Sequence, residues 1–403
     1  MKSMNENNQR CIRDISLCAI KPDWDSSLVG IILELEHLKA RTLTGSTPPY
    51  IFFQLKEIFH KLESLGSTRI EGNRTTLANI VEEMAGRDGR SHIAHDERMQ
   101  EIRNVEKALR FVEENIDTGK KITKAHLYEI HKIITDGLSP PSKIEGGEGS
   151  DTPGDFRKKS VEIRQSKFCP PDYTQVNDYI EELLDFINQE AESKDFLLNT
   201  AIAHHRFACI HPFDNGNGRV VRVFTYALLI KYGFQVHNGR ILNPTAIFCM
   251  DRDKYYDMLE LADSGKQEDV LQWCEYVLKG LLREIKKIDK LLDHKTLRDT
   301  ILTPTINNTF ERKLISEAEH AVLSFMARNK DVSLRAGDVK KLLDIGSSVK
   351  VSRIIKGLKE KKLIQPIGKE RGRIYTLSFI NEYLLRDIID ALEQNGFTQG
   401  LSE

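Results

Sequence analysis

The twelve residues His211-Pro212-Phe213-Asp214-Asn215-Gly216-Asn217-Gly218-Arg219-Val220-Val221-Arg222 decide how this chain is read. An apolar stretch, Phe196–Cys209, stops just before a proline. Two glycines follow, and a second apolar stretch, Asn217–Tyr232, begins. That order predicts helix, tight turn, helix. A glycine-rich turn at a helix N-terminus presents backbone N–H donors and the positive end of the helix dipole, which suits phosphate. Arg219 and Arg222 stand three residues apart and share a helix face near the same anion. His211, at the edge of the turn, is placed to take a proton from an incoming nucleophile. Singly, each feature has an ordinary reading: a core histidine, a plain turn, a solvated arginine face.

Outward from the turn, helical periodicity dominates. Pro49–Leu65 repeats Ile51, Leu55, Phe59 and Leu62 at spacings of three and four, and Glu97–Glu114 does so through Ile102, Val105, Leu109 and Val112. Lys124–Thr135, Val176–Glu190, Asp253–Leu261 and Val270–Leu292 are further helices. A Gly/Pro/Ser-rich loop spans Leu138–Gly154. A short alternation around Val161 and Ile163, then Phe168-Cys169-Pro170-Pro171, reads as an irregular β-hairpin. His294–Arg312 loses apolar periodicity, holds Pro304, Asn307 and Asn308, and reads as a linker. Ser316-Glu317-Ala318-Glu319 has the form of a capping box. Three helical segments, the run Leu363–Ile367, a turn at Gly368–Gly372 and Arg373–Leu377 then suggest a winged helix-turn-helix.

The bulk numbers fit two or three globular domains: 403 residues, 40% hydrophobic, 30% charged, formal net charge −1. That balance excludes a polyelectrolyte, but the charge is uneven. Arg335–Arg373 holds 12 Lys/Arg against 4 Asp/Glu, a basic module on an acidic body. Met1–Arg13 has no apolar signal core and no stretch suits a bilayer, so the expected location is cytoplasmic, away from membranes. The six cysteines (Cys11, Cys18, Cys169, Cys209, Cys249, Cys274) form no CxxC pair and read as buried free thiols rather than a disulfide framework or zinc site.

The twelve-residue segment resembles the signature of the Fic family, His-Pro-Phe-x-acid-Gly-Asn-Gly-Arg-x-x-Arg, in eight fixed residues. Around it, Glu101–Ala108 resembles the family's first core helix. Pro153–Arg157 with Val161, Ile163 and Pro170-Pro171 resembles the segment entering its flap, and Tyr255–Leu259 with Trp273 its closing helices. The resemblance implies a mainly α fold: a Fic-type helical bundle with a short β-hairpin flap, beside the small C-terminal winged helix-turn-helix. It divides the chain into an N-terminal helical region (1–95), a catalytic core (96–293), a linker (294–312) and the C-terminal domain (313–403).

What the resemblance implies chemically is transfer of AMP from ATP to a Ser, Thr or Tyr hydroxyl of a protein, with self-modification as one outcome. His211 would be the general base and Phe213 an apolar anchor. Gly216, Asn217, Gly218 and Arg219 would hold the α- and β-phosphates, and Arg222 the γ-phosphate. Tyr255 and Tyr256 would wall the adenine, and Lys159, Val161 and Ile163 would dock an extended target by β-pairing. The family's acidic position, for Mg²⁺ or Mn²⁺, is Asn215 here, with Asp214 one residue earlier; an amide oxygen is the weaker donor. A related phosphoryl-transferring branch carries Lys where this chain has Gly218, which argues against that chemistry.

Upstream, Glu71 closes a helix ahead of Gly72 and faces the negative end of its dipole, which asks for a cationic partner. Ser67-Thr68-Arg69-Ile70-Glu71-Gly72 resembles the family's inhibitory motif, and the resemblance pairs Glu71 with Arg222. In some relatives the same glutamate is associated with AMP removal. In the C-terminal module, Lys350, Arg353 and Lys356 on the second helix of the motif, with Lys369, Arg371 and Arg373 on the wing, make the electrostatic footprint of a DNA reader. A DNA-binding regulator with a nucleotide-sensing core is therefore the competing reading. The apolar helix Ile51–Leu65 suggests a homodimer.

Overall fold

The computed structural model describes residues 10–11, 17, 20–40, 45–84, 97–163, 166, 168–189, 195–234, 244–368, 373–380 and 383–398. The described helices are α1 (Ser27–Ala40), α2 (Pro49–Ile70), α3 (Leu77–Met84), α4 (Glu97–Asn115), α5 (Lys124–Thr135), α6 (Val176–Asn188), α7 (Phe196–Ile210) and α8 (Asn217–Lys231). They continue with α9 (Thr245–Cys249), α10 (Arg252–Ala262), α11 (Gln267–Asp289), α12 (His294–Leu297), α13 (Thr303–Glu311), α14 (Glu317–Arg328), α15 (Ala336–Leu342), α16 (Ser348–Glu360) and α17 (Leu385–Gln394). The strands are β1 (Arg10–Cys11), β2 (Phe168–Cys169), β3 (Ser333–Leu334), β4 (Ile364–Pro366) and β5 (Tyr375–Leu377). No described helix is long and apolar enough to cross a membrane.

The chain divides into two compact units. The first takes in Met1–Arg41, Glu63–Asn73 and His95–Glu284, and so holds α1, the end of α2, helices α4 to α10 and most of α11. Here α4 packs on α5 and α8, and α7 packs on α6 and α8. In α8 every residue but Gly218 is buried, and in α7 all but Phe196 and Ala208. A helix buried all round belongs at the centre of a bundle rather than on its rim. That is why the turn between α7 and α8 sits in a fixed place.

The flap reading needs correction. Among the described residues, 157–163 form no strand, and Phe168–Cys169 pairs instead in parallel with Arg10–Cys11. Pro170 and Pro171 bring no backbone donors to a ladder. Arg157 folds the segment back on itself: its guanidinium donates to the carbonyl oxygens of Lys159 (3.1 Å) and Pro171.

The second unit takes in Thr42–Leu62, Arg74–Ala94 and Ile285–Glu403. The stretch read as a linker is helical: α12, a π-helical turn at Arg298–Leu302, and α13. Pro304 follows the π-helical turn without a break, and the Thr300 carbonyl that its missing N–H leaves free accepts instead from Asn395 Nδ2 (3.2 Å). Buried threonines hid the period. Thr305 and Thr309 sit on the inward face with Leu302 and Ile306, and Thr309 Oγ1 shares its one proton between the carbonyl of Thr305 (2.8 Å) and Asp387 (2.6 Å). Ser316 does cap α14, exchanging hydrogen bonds with Glu319. Strand β3 falls between α14 and α15, β4 and β5 follow α16, and the three strands form an antiparallel sheet in the order β3-β5-β4. In α16, Val351, Ile355 and Leu358 are buried, while Lys350, Arg353 and Lys356 are exposed, as is Arg373. Lys369 and Arg371 lie outside the described residues.

The apolar face of α2, expected to serve a homodimer, is covered by the chain itself. Ile51, Leu55, Phe59, Leu62 and Leu65 are already buried within the chain. Burying that face a second time against another copy would gain nothing.

Candidate active site

A cavity of about 850 Å³ in the first unit is lined by the turn residues Asp214–Arg219, by Val221 and Arg222 of α8, by His211, by Glu71, and by Arg252, Tyr255 and Tyr256 of α10. Its floor is built from local chemistry. Helix α7 ends at His211, whose backbone enters the left-handed region (φ 49°, ψ 59°) and whose N–H still donates to Phe207 (3.0 Å). Asn217 closes the turn upon itself: Phe213 N–H donates to its Oδ1 and its Nδ2 donates back to the Phe213 carbonyl, both at 2.9 Å. The side chain assigned to phosphate thus shapes the turn. Gly216, at φ 73°, lets α8 begin. At that N-terminus Gly216, Asn217 and Gly218 line the cavity, where first-turn N–H groups have no intrahelical acceptor.

His211 lies against the Ala208 carbonyl through Nδ1 (3.3 Å). A carbonyl only accepts, so that nitrogen carries the ring proton and Nε2 keeps its lone pair. Burial, then the charge of Arg157, hold the imidazole pKa down to about 4, against the opposing pull of the Ala208 carbonyl and Glu71. The ring is therefore neutral and able to accept a proton throughout the physiological range.

Arg222, 2% exposed, donates Nε to Ser67 Oγ (2.8 Å) and Nη2 to both the Ser67 carbonyl (2.8 Å) and Glu71 Oε1 (2.7 Å). Burial raises the Glu71 pKa, but Arg222, with Arg219 and Arg252 beyond it, outweighs that and holds it below the usual value. The carboxylate reaches this place because residue 218 is glycine: a Cβ there would overlap Glu71 Oε1. Arg219 is fully buried, with Nη1 3.0 Å from Glu101 Oε1 and Nη2 2.9 Å from Glu148 Oε2. Its charge is balanced by the protein itself.

Asp214 and Asn215 are tied to the preceding loop. Asp214 accepts from Ser150 Oγ (2.5 Å) and from Asp151 N–H (2.8 Å). Asn215 Nδ2 donates to the carbonyls of Gly147 and Gly149, each at 3.0 Å, while its Oδ1 accepts from Gly216 N–H (2.8 Å). Each of these oxygens retains a lone pair, and both residues line the cavity. An oxygen-only set of this kind fits a hard cation such as Mg²⁺ or Mn²⁺.

The two tyrosines divide. Tyr255 is buried and its hydroxyl meets His204 Nε2 (2.8 Å), with His204 Nδ1 on Thr225 (2.7 Å), a core network. Tyr256 is part-exposed and lies under the Arg252 guanidinium (5.6 Å). Of the docking residues, Ile163 lines the cavity together with Glu162; Lys159 is exposed on the outer surface and Val161 is half-buried.

Four supporting residues escaped the sequence reading. Arg157 donates Nε to the His211 carbonyl (2.9 Å) and fixes the base from behind. His131 stacks on Phe213 (3.8 Å between centroids), accepts Gly154 N–H at Nδ1 (3.0 Å), and meets the Asn215 carbonyl through Nε2 (3.2 Å). Glu101 and Glu148 balance Arg219. Arg157 and Glu101 end and begin segments that resemble the family, but with no role read for them; Glu101 also left a physical trace, since it falls one turn before Val105 on the buried face of α4, an acid on an apolar stripe.

Residues 121–229, which span α5 to α8 and the turn, match the Fic/DOC family model. Over 203 residues the chain is 30% identical to Protein adenylyltransferase Fic of Drosophila willistoni and to that of Drosophila virilis. The match covers 49% of this chain and 36% and 37% of those proteins, so it spans little more than a third of the curated relatives' length. A solved Fic-domain signaling protein from Bacteroides thetaiotaomicron superposes with a TM-score of 0.50 at 16% identity, over 66% of this chain and 98% of that one. That likeness concerns the fold alone. The protein is a mainly helical Fic-fold protein. Its turn belongs to a Fic/DOC domain, and the chain is a distant homologue of Fic protein adenylyltransferases.

Proposed function

We propose that this protein is a protein adenylyltransferase that moves AMP from ATP onto a Ser, Thr or Tyr hydroxyl, and that Glu71 holds it inactive. The observation that carries the reading is the Glu71–Arg222 contact at 2.7 Å, inside the cavity that His211 also lines. In the reaction, His211 Nε2 takes the proton of the target hydroxyl. The oxygen forms a bond to the α-phosphorus, the bond to the β-phosphate breaks, and pyrophosphate leaves. The N–H groups at the start of α8 and the dipole behind them receive the phosphate oxygens. Arg222 is the cation for the terminal phosphate, and Tyr256 with Arg252 flanks the base. Bound Mg²⁺ or Mn²⁺, held by Asp214 with Asn215 beside it, would neutralise phosphate charge. Glu71 competes because its carboxylate holds the guanidinium that the γ-phosphate needs.

The test is label transfer from α-³²P-ATP to the protein itself. Glu71→Gly should raise labelling roughly 5–150-fold, the range of a coupling of about 1–3 kcal/mol. Glu71→Gly/His211→Ala should return it to background. Equal, weak labelling of all three folded proteins would sink the reading.

A second proposal concerns residues 313–403. The exposed Lys350, Arg353 and Lys356 on α16 favour a DNA contact by a winged-helix-like unit, as in a regulator with a nucleotide-sensing core. A retardation assay on duplex DNA decides it. Binding should weaken as salt rises and weaken further in Lys350→Glu/Arg353→Glu; no binding at low salt would end it.

A further inference from the structure

One turn before His211, α7 carries a pair that the transfer chemistry leaves unused. His205 and Cys209 stand four residues apart, so they share a face of the helix. Asp263, at the C-terminal end of α10, reaches the same face. Three donor atoms meet there. His205 Nε2 is 2.9 Å from Asp263 Oδ1, Cys209 Sγ is 3.5 Å from His205 Nε2, and Cys209 Sγ is 3.7 Å from Asp263 Oδ1. All three residues also line the cavity.

The triangle can be compared with the face of a tetrahedral ion. With Zn–S of about 2.3 Å and Zn–N and Zn–O of about 2.0 Å, the ligand atoms of zinc lie roughly 3.3–3.6 Å apart. Two observed edges match within a few tenths of an ångström. The third, His205 to Asp263, is a hydrogen bond, and it opens by a similar amount when the ion takes the place of the shared proton.

We propose that His205, Cys209 and Asp263 form a three-ligand site for a borderline-soft divalent transition ion, Zn²⁺ foremost, with the fourth position open to the cavity. One nitrogen, one sulfur and one oxygen suit zinc and do not suit Mg²⁺ or Ca²⁺, which take oxygen alone. The site is therefore chemically separate from the Asp214–Asn215 oxygens. Trp273, 6.3 Å from the His205 ring, and Phe168 against Cys209 supply an apolar surround. Binding sends the thiol proton to solvent, shifts the His205 ring proton from Nε2 to Nδ1, and leaves a thiolate and a neutral imidazole on the ion. An ion here ties the end of α7, two residues before His211, to the end of the helix that carries Tyr255 and Tyr256. Its occupancy would set how the base faces the nucleotide wall.

The full chain, stripped with a chelator, is titrated with Co²⁺ as a spectroscopic stand-in. The expected result is saturation at about one ion per chain, thiolate-to-cobalt charge-transfer absorption, and the d–d intensity of a tetrahedral centre. Zn²⁺ should abolish the spectrum and a large excess of Mg²⁺ should not. Cys209→Ser should lose the charge-transfer absorption, and His205→Gln should lose stoichiometric binding. Wild-type protein that shows no thiolate absorption, or a spectrum that survives Cys209→Ser, would overturn the site in favour of a core thiol over a His–Asp hydrogen bond. Should either variant fail to fold, wild-type melting decides: Zn²⁺ should raise the Tm and a chelator should reverse it, and an unchanged Tm overturns the proposal.

Discussion

The turn at residues 211–218 and the strap at residues 147–157 meet at Asp214 and Asn215, and they hold their shapes by different means. The turn supports itself. Asn217 exchanges two hydrogen bonds with Phe213 four residues away, and two helix ends fix its direction. The strap has no regular secondary structure. Beyond the nearer Ser139 carbonyl on Gly149 N–H and His131 on Gly154 N–H, it is held by partners more than fifty residues off: Asn215 on Gly147 and Gly149, Asp214 on Ser150 and Asp151, and Arg157 on the His211 carbonyl. A self-supporting turn can lose a reacting group and keep its form. A dependent strap should lose its form when one anchor goes, and the turn above it should then lose precision.

The largest effect belongs to the turn. In the Glu71→Gly background, His211→Ala should lower the initial rate of label transfer by about 10²–10⁴-fold, the contribution of a positioned base. Its urea midpoint should stay close to the parent's. A variant that keeps the parent rate would show that the turn's histidine is structural.

The strap should respond in the opposite sense. Arg157→Met removes a buried guanidinium and leaves the carbonyls of His211, Lys159 and Pro171 without a donor. The expected loss is about 2–4 kcal/mol of stability, read from urea unfolding, against little change for the exposed Lys158→Met. Equal midpoints for the two would break the comparison, because the strap would then need no anchor.

This contrast also explains what could be read from the sequence. The helices around the turn were legible because their apolar residues repeat every three or four positions: α5 begins and ends at the expected Lys124 and Thr135. The turn was legible because glycine, proline and histidine act within a few residues of where they stand. Glu71 was legible through an oddity, an acid at the wrong end of a helix, and its partner is Arg222. The strap was not legible, since nothing local marks Arg157 as a clamp or His131 as a stacking partner. The helix Thr303–Glu311 was hidden by its buried threonines. His205 and Cys209 did stand at helical spacing, but Asp263, the third member, lies 54 residues beyond Cys209.

Asn215→Asp sharpens the comparison at the junction. Aspartate puts a second acid beside Asp214, but it offers no donor to Gly147 and Gly149, and it sets a carboxylate against two carbonyls. The strap should loosen by about 1–3 kcal/mol, seen as faster hydrogen exchange of its amides with the turn's amides unchanged. Equal slowing or quickening of both segments would mean that they form one cooperative unit.

The smallest effect is a pH dependence, and it tests the packing under the turn. His131 is buried against Phe213, and burial pushes its pKa down to about 4 despite Asp214 and the Asn215 carbonyl, which favour the charged form. Its Nδ1 accepts Gly154 N–H, so the folded state needs that nitrogen unprotonated. In the unfolded chain histidine titrates near 6.5. The folded pKa is the lower one, so the unfolded state binds the proton first. The contribution to stability is complete above about pH 6.5 and is lost as the pH falls toward 4. Between pH 7.5 and 5.5 the loss from this one ring should be about 1 kcal/mol. His131→Asn, which cannot titrate, should flatten the fall by that amount whatever it costs at pH 7.5. An unaltered slope would assign the acid sensitivity to the other buried imidazoles held low, His211 and His204, rather than to the ring that joins the strap through Gly154.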